Sequence, residues 1–180
     1  FRVEPADGRT AILLGGSWTV RDCATAGGTI GVAWPASSDR QGGADDAPHL
    51  DLQNLTIRNA ERCGVSLLPA TGTANLSGCE VTDCRGTCLQ SECASVGVTA
   101  SSFHAQGAPT CGIWADSSCA LTVTDSRCSG SQFGVMVTDQ AALRATRLQI
   151  SGTQRSGLIG ESRANLSLID CRVEANDGLG

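Results

Sequence analysis

Lysine and tyrosine are absent from this 180-residue chain, and aromatic residues make up only 3% of it. A core with so few rings has to be built from small and branched aliphatic side chains. All 13 basic residues are arginine, as a GC-rich gene would encode, and they are spread thinly among 18 acidic residues. The sequence therefore contains no basic patch typical of nucleic-acid binding, and no apolar run of about 18 residues that could span a membrane.

Glycine is abundant, with 22 residues, and it begins a short phrase that returns along the chain. In this phrase an apolar residue follows the glycine, and apolar residues then alternate with others. Successive copies lie 22, 26, 22, 23 and 21 residues apart, at Gly64, Gly86, Gly112, Gly134, Gly157 and Gly178. A second alternating phrase precedes each copy and begins at Leu52, Leu76, Val98, Val123, Ala145 and Leu168.

A repeat of this length with a period of two predicts a solenoid of short strands. Apolar residues alternate with a period of two, and glycine and β-branched residues interrupt any helical period, which disfavours helical solenoids. We predict an all-β, single-stranded right-handed parallel β-helix over residues 1–180, with about seven coils of ~22 residues. The polar, Gly/Pro-rich stretch 35–49 is predicted to be a loop inserted between the first and second coils. The last copy breaks off within the phrase, which predicts a longer protein.

Strand alternation assigns the side chains to two faces. In the glycine phrase Thr87 and Leu89 are expected to point inward, and in the second phrase Val98 and Phe103 are. An outer row should be polar, yet the outer row of the glycine phrase is apolar over four coils. Contiguous exposed apolar side chains mark contact sites, and tryptophan is a favoured anchor. The predicted partner-binding row consists of Cys88, Trp114, Met136 and Ile159.

Ten cysteines raise the question of disulfides or a metal site. The predicted register separates most of them, and Cys63 and Cys111, for example, lie two coils apart. Only Cys93 and Cys119 take equivalent positions in adjacent coils, where we expect them to be neighbours without a bridge. Most cysteines are predicted to be reduced and packed as small apolar side chains, which favours an intracellular location. Their spacings do not match zinc sites, and no metal or cofactor is predicted.

The repeated phrases over residues 11–180 resemble the right-handed parallel β-helix repeats of the pectate-lyase-like superfamily. That superfamily includes carbohydrate-active enzymes, substrate-binding regions of F-box proteins, and ciliary or axonemal proteins. Its hydrolases carry acidic residues, a Gly-His-Gly and an Arg-x-Lys on successive coils, and its lyases carry a carboxylate cluster for calcium. This chain has no lysine and no Gly-His-Gly, and its two histidines are His49 and His104. No catalytic residue is therefore assigned.

Two functions remain open from the sequence. The first is a noncatalytic scaffold that mediates protein–protein interaction in an intracellular assembly, in the cytoplasm or on the cytoskeleton, with the ciliary axoneme as one such place. The alternative is a secreted polysaccharide lyase or glycoside hydrolase whose catalytic coils lie outside this chain. The expected partner is a protein, with carbohydrate as the less favoured ligand.

Overall fold

The computed structural model describes residues 2–3, 9–34, 47–68, 72–92, 96–174 and 177. The chain winds through three parallel β-sheets and adds one strand to each sheet in every turn. The described ranges contain no helix, and accordingly none that is long and apolar enough to cross a membrane. The predicted parallel β-helix is confirmed, and the strands of the second and third sheets complete about six turns.

The three sheets, numbered in the order in which the chain visits them, contain all 22 described strands. Sheet 1 consists of β1 (Arg2–Val3), β4 (Ala24–Ala26), β7 (Thr56–Arg58), β10 (Glu80–Thr82), β13 (His104–Gln106), β16 (Arg127–Ser129), β19 (Gln149–Ser151) and β22 (Arg172–Glu174). Sheet 2 consists of β2 (Thr10–Leu13), β5 (Ile30–Trp34), β8 (Cys63–Leu67), β11 (Thr87–Glu92), β14 (Cys111–Asp116), β17 (Phe133–Val137) and β20 (Ser156–Gly160). Sheet 3 consists of β3 (Trp18–Arg21), β6 (His49–Gln53), β9 (Gly72–Ser77), β12 (Val96–Ser101), β15 (Ala120–Thr124), β18 (Ala142–Thr146) and β21 (Asn165–Ile169).

The core consists of inward rows in which equivalent residues of successive coils lie directly over one another. Burial of these aliphatic side chains contributes roughly 25 cal/mol per Å² of apolar surface removed from water. Each sheet supplies at least one row whose members are at most 1% exposed. Examples are Val65, Leu89, Ile113 and Val135 in sheet 2, Leu76, Ala100, Val123 and Ala145 in sheet 3, and Ile57, Val81, Ala105 and Cys128 in sheet 1.

Four predicted inward positions are shifted by two residues, and one of them is Leu89, whose predicted place level with Leu67 and Ala115 is taken by Ser91. Leu89, rather than Thr87, pairs with Val65 and Ile113. In the next coil Ala100 and Ala105 occupy the rows that were predicted for Val98 and Phe103. The latter two are still buried, in neighbouring rows. A two-residue shift keeps the alternation of faces, which is why the pattern alone did not reveal it.

A single residue bends the chain between each sheet 3 strand and the following sheet 1 strand. It adopts a left-handed conformation, with φ between 49° and 62°, in all seven described turns of this kind. Asn, Asp and Gly tolerate this region better than other residues, and they fill five of the seven positions. The row consists of Asp22, Asn54, Gly78, Ser102, Asp125, Arg147 and Asp170.

The predicted loop and the last coil differ from a uniform solenoid. Residues 35–46 of the loop lie outside the described residues, and His49 already belongs to β6, so the loop ends before residue 49. On β21, Leu166 and Leu168 continue two core rows but are 37% and 44% exposed, because no described strand stacks on their far side.

Candidate interaction surface

The outer face of sheet 2 carries three large apolar side chains in one row, which we call the apolar row. Trp114 pairs with Met136, and Met136 pairs with Ile159, so the three occupy equivalent positions on β14, β17 and β20. Each of them is partly exposed, while the inward residues beside Trp114 and Met136 are buried. Beside Ile159, Leu158 is partly exposed and Gly160 is exposed. Adjacent strands lie about 4.8 Å apart, and the apolar row therefore spans about 10 Å between its outer backbones.

Cys88 was predicted to belong to this row, and that prediction is wrong. Gln90 pairs with Trp114 and takes the outer position in that coil. Cys88 is fully buried instead, and the flanking pairs place it level with Gly64 and Gly112. The repeat phrase in the sequence equates Gly86 with those two glycines, which is two residues too early. The predicted partner-binding residues are thus reduced to the three of the apolar row.

A chain of hydrogen bonds holds the indole ring of Trp114. Its Nε1 donates to Thr138 Oγ1 at 3.2 Å, and the Thr138 hydroxyl donates to Asp116 Oδ1 at 2.7 Å. The same carboxylate oxygen accepts the backbone N–H of Ser117 at 2.7 Å. Because the ring is oriented before any partner arrives, binding through it would cost little side-chain entropy.

The two edges of this face carry opposite charges. Arginines lie just before the strands of sheet 2, and carboxylates lie at or just after their ends. Phe133, at the start of β17, lies under a guanidinium whose Cζ is 5.9 Å from the ring centroid, a cation–π contact. The basic edge holds Arg62, Arg85 and Arg155, and the acidic edge holds Glu92, Asp116 and Glu161.

An open groove with a volume of about 520 Å³ lies between these edges, beside Trp114. Arg62 and Arg85 line one side of it together with Glu61, and Gln90 and Glu92 line the opposite side. Glu92 pairs with Asp116 of the next coil, which brings two carboxylates to adjacent strands. The repeat phrases alone do not align these two carboxylates, because their pairing depends on the register of β11. Nε2 of Gln90 donates to Glu92 Oε1.

A second polar groove, of about 360 Å³, lies where sheet 1 meets the left-handed turns. Arg147 binds both carboxylate oxygens of Asp125, at 2.5 and 2.8 Å, and this hydrogen bonding lowers the pKa of Asp125. Both side chains are about half exposed, so the pair contributes little to stability. In the described part of the chain, no three His, Cys, Asp or Glu residues are grouped so that they could hold a metal ion.

The nine described cysteines carry free thiols, and seven of them are buried. Burial is the main cause that raises the pKa of Cys63 and of Cys128, in each case to about 12. The thiols of Cys84 and Cys88 hydrogen-bond to each other, which lowers the pKa of Cys84 and raises that of Cys88. Cys93, the predicted neighbour of Cys119, lies outside the described residues.

Three parallel sheets wound by one chain define the class of parallel β-solenoid proteins. Within that class, the family model described as "Right handed beta helix region" matches residues 42–180, and the chain belongs to this family. The match confirms the predicted handedness and family. No curated protein and no solved structure matches the chain.

Proposed function

We propose that this protein is a noncatalytic β-helix scaffold that binds another protein through the outer face of sheet 2. The observation that carries the proposal is the in-register apolar row, with the Trp114 indole held by Thr138. Large apolar side chains aligned on a solvent-facing sheet are typical of contact sites, and an oriented tryptophan is typical of their energetic centres. The charged edges add electrostatic selectivity for the partner.

We further propose that the protein acts in an intracellular assembly, on the cytoskeleton and in the ciliary axoneme. The resemblance to axonemal β-helix proteins supports this location, as do the buried free thiols, since disulfides are rare in reducing compartments. A fluorescently tagged full-length protein should remain with axonemes after detergent extraction. Export of the tagged protein into the medium would contradict this location.

Site-specific photo-crosslinking tests the binding face. A benzophenone amino acid at Met136 should capture a protein, whereas the same group at Thr122, exposed on the outer face of sheet 3, should not. Trp114→Ala should abolish capture from position 136, and circular dichroism should show that the variant stays folded. Equal capture from both positions, or none from position 136, would contradict the proposal.

A secreted carbohydrate-active enzyme is the second candidate, and the groove beside Trp114 favours it. Glu92 and Asp116 on adjacent strands provide two carboxylates, which is the minimum that glycoside hydrolysis requires. Arginines on the opposite side would hold an anionic sugar. This candidate would be favoured if the protein released reducing ends from a polysaccharide and if Glu92→Gln and Asp116→Asn each abolished that release. Absence of release, together with crosslinking from position 136, would favour the scaffold.

A further inference from the structure

We infer that the partner of this face is a second copy of the same chain, related by a two-fold axis parallel to the solenoid axis. The inference rests on the proposed function, because it identifies the occupant of the same surface. The evidence for it is the arrangement of charges at the two ends of individual strands of sheet 2. Two copies of this arrangement complement each other in one relative orientation only.

Two strands of sheet 2 have an arginine before them and a glutamate at their end. Arg85 lies two residues before β11, and Glu92 is its last residue. Arg155 directly precedes β20, and Glu161 directly follows it. All four side chains are exposed. None of them takes part in an ion pair within the described part of the chain, although Arg155 lies over the Phe133 ring and Glu92 accepts a hydrogen bond from Gln90. No opposite charge of the same chain therefore neutralises them.

Symmetry decides which contacts these charges make. A two-fold axis parallel to the solenoid axis reverses the strand direction across the interface but keeps the order of the coils. Each coil then faces itself, and Arg85 faces Glu92 of the second copy while Arg155 faces Glu161 of the second copy. Four oppositely charged pairs result. An axis along the strands would instead place the acidic edges over each other, and like charges disfavour that arrangement.

The same operation brings the two apolar rows close together, one on either side of the two-fold axis. The face measures roughly 20 Å along the strands and 30 Å along the solenoid, from strand rise and spacing. About 600 Å² per copy would be buried, which is at the lower end of specific interfaces. A dimer with a dissociation constant in the micromolar range is therefore expected, with steering by the charged edges.

Paired charge reversals test the orientation. Arg85→Glu alone and Glu92→Arg alone should each weaken the dimer at least about tenfold, because each replaces two attractive pairs by two repulsive ones. When the two variants are mixed, the heterodimer regains both attractive pairs and should form about as well as the unaltered dimer. The double variant should also dimerise by itself. Arg144→Glu, which reverses an exposed charge on sheet 3, should have no effect.

Sedimentation equilibrium at micromolar concentrations gives the dissociation constants, and circular dichroism checks the fold of each variant. If either variant fails to fold, Arg155→Glu and Glu161→Arg provide an independent set with the same expectations. A monomeric unaltered protein overturns the inference, as does a dimer that the reversals do not weaken or mixing does not restore. Crosslinking of a different protein from position 136 would then still support the proposed function, and absence of crosslinks would overturn both.

Discussion

A row of close contacts between sheets 1 and 2 gives the most discriminating test of the register. The row consists of small residues on the sheet 2 strands, and we call it the glycine row: Gly31, Gly64, Cys88, Gly112, Gly134 and Gly157. Four of these glycines, Gly31, Gly64, Gly112 and Gly134, closely approach the sheet 1 strand of the next coil. A Cβ added at Gly64 would lie 2.2 Å from Val81 Cγ1, and one added at Gly134 would lie 2.4 Å from Ile150 Cγ2.

Cys88 is the exception in the glycine row, and the neighbouring sheet compensates for it. Ala105 faces Cys88 and occupies the sheet 1 row that contains Val81 and Ile150. It is the smallest residue in that row. The Cys88 thiol reaches the carbonyl oxygen of Gln106, the residue after Ala105, at 3.9 Å. A side chain has thus been added on one sheet and removed from the other, so the total volume at the contact is conserved.

Ala105→Val should therefore be destabilising in the unaltered protein but not in the Cys88→Gly background. By analogy with Gly64 and Val81, its new methyl group would lie little more than 2 Å from the Cys88 Cβ, and ordinary carbon contacts need about 3.5–4 Å. Such overpacking costs about 1–3 kcal/mol. Cys88→Gly alone should cost about 2 kcal/mol through the cavity it leaves. The double variant restores the Gly–Val arrangement of the other coils, and its free energy of unfolding should fall by no more than that of either single variant.

Urea unfolding followed by tryptophan fluorescence and circular dichroism gives the free energy of unfolding of each variant. The buried indole of Trp34 provides a core signal. We expect a coupling free energy of about 2 kcal/mol between positions 88 and 105. Ala145→Val provides the matched control, since Ala145 is equally buried in sheet 3 but lies more than two coils away, and its effect should be additive with Cys88→Gly. Additivity of the 88 and 105 substitutions would refute the register described for β11 and β13.

Three further predictions concern the thiols and one tight turn. Burial raises the pKa of Cys63 and Cys128 from 9.0 to about 12, so the free energy of unfolding should fall as the pH rises from 9 towards 12, by about 1.4 kcal/mol per pH unit for each thiol. Alanine at either position should make the free energy of unfolding, measured by urea titration, depend less steeply on pH. An unchanged dependence would contradict the assignment. Partly exposed Cys23 should react with iodoacetamide well before Cys63 in the folded protein, as peptide mass spectrometry can establish; equal rates would indicate local opening. Gly86→Ala should lower the free energy of unfolding by more than about 2 kcal/mol, because the new Cβ would lie 1.9 Å from a backbone carbonyl oxygen. Gly15→Ala is the control, since a Cβ there would have nothing within 4 Å, and it should leave the thermal unfolding temperature almost unchanged.

The sequence predicted part of the candidate surface correctly and part of it wrongly. Trp114, Met136 and Ile159 were placed correctly in one outer row, because their coils are 22 and 23 residues long and differ little in their turns. Cys88 was misplaced because it occupies the position that most other coils fill with glycine, and Gly86, two residues earlier, was taken as the repeat glycine instead. The acidic pair formed by Glu92 and Asp116 was missed for the same reason, since it exists only in the observed register.

Alternation of apolar residues and the interval of about 22 residues determined the parallel β-solenoid and the two faces of most strands. These features depend on local geometry, because successive side chains of a strand point to opposite faces whatever the strand pairs with. The choice between registers two residues apart was decided only by the tertiary structure. Such registers present the same pattern of faces, and they differ only in which volumes meet between sheets, as at Cys88 and Ala105. The alignment of opposite charges along the edges of sheet 2 likewise emerged only once the coils were stacked.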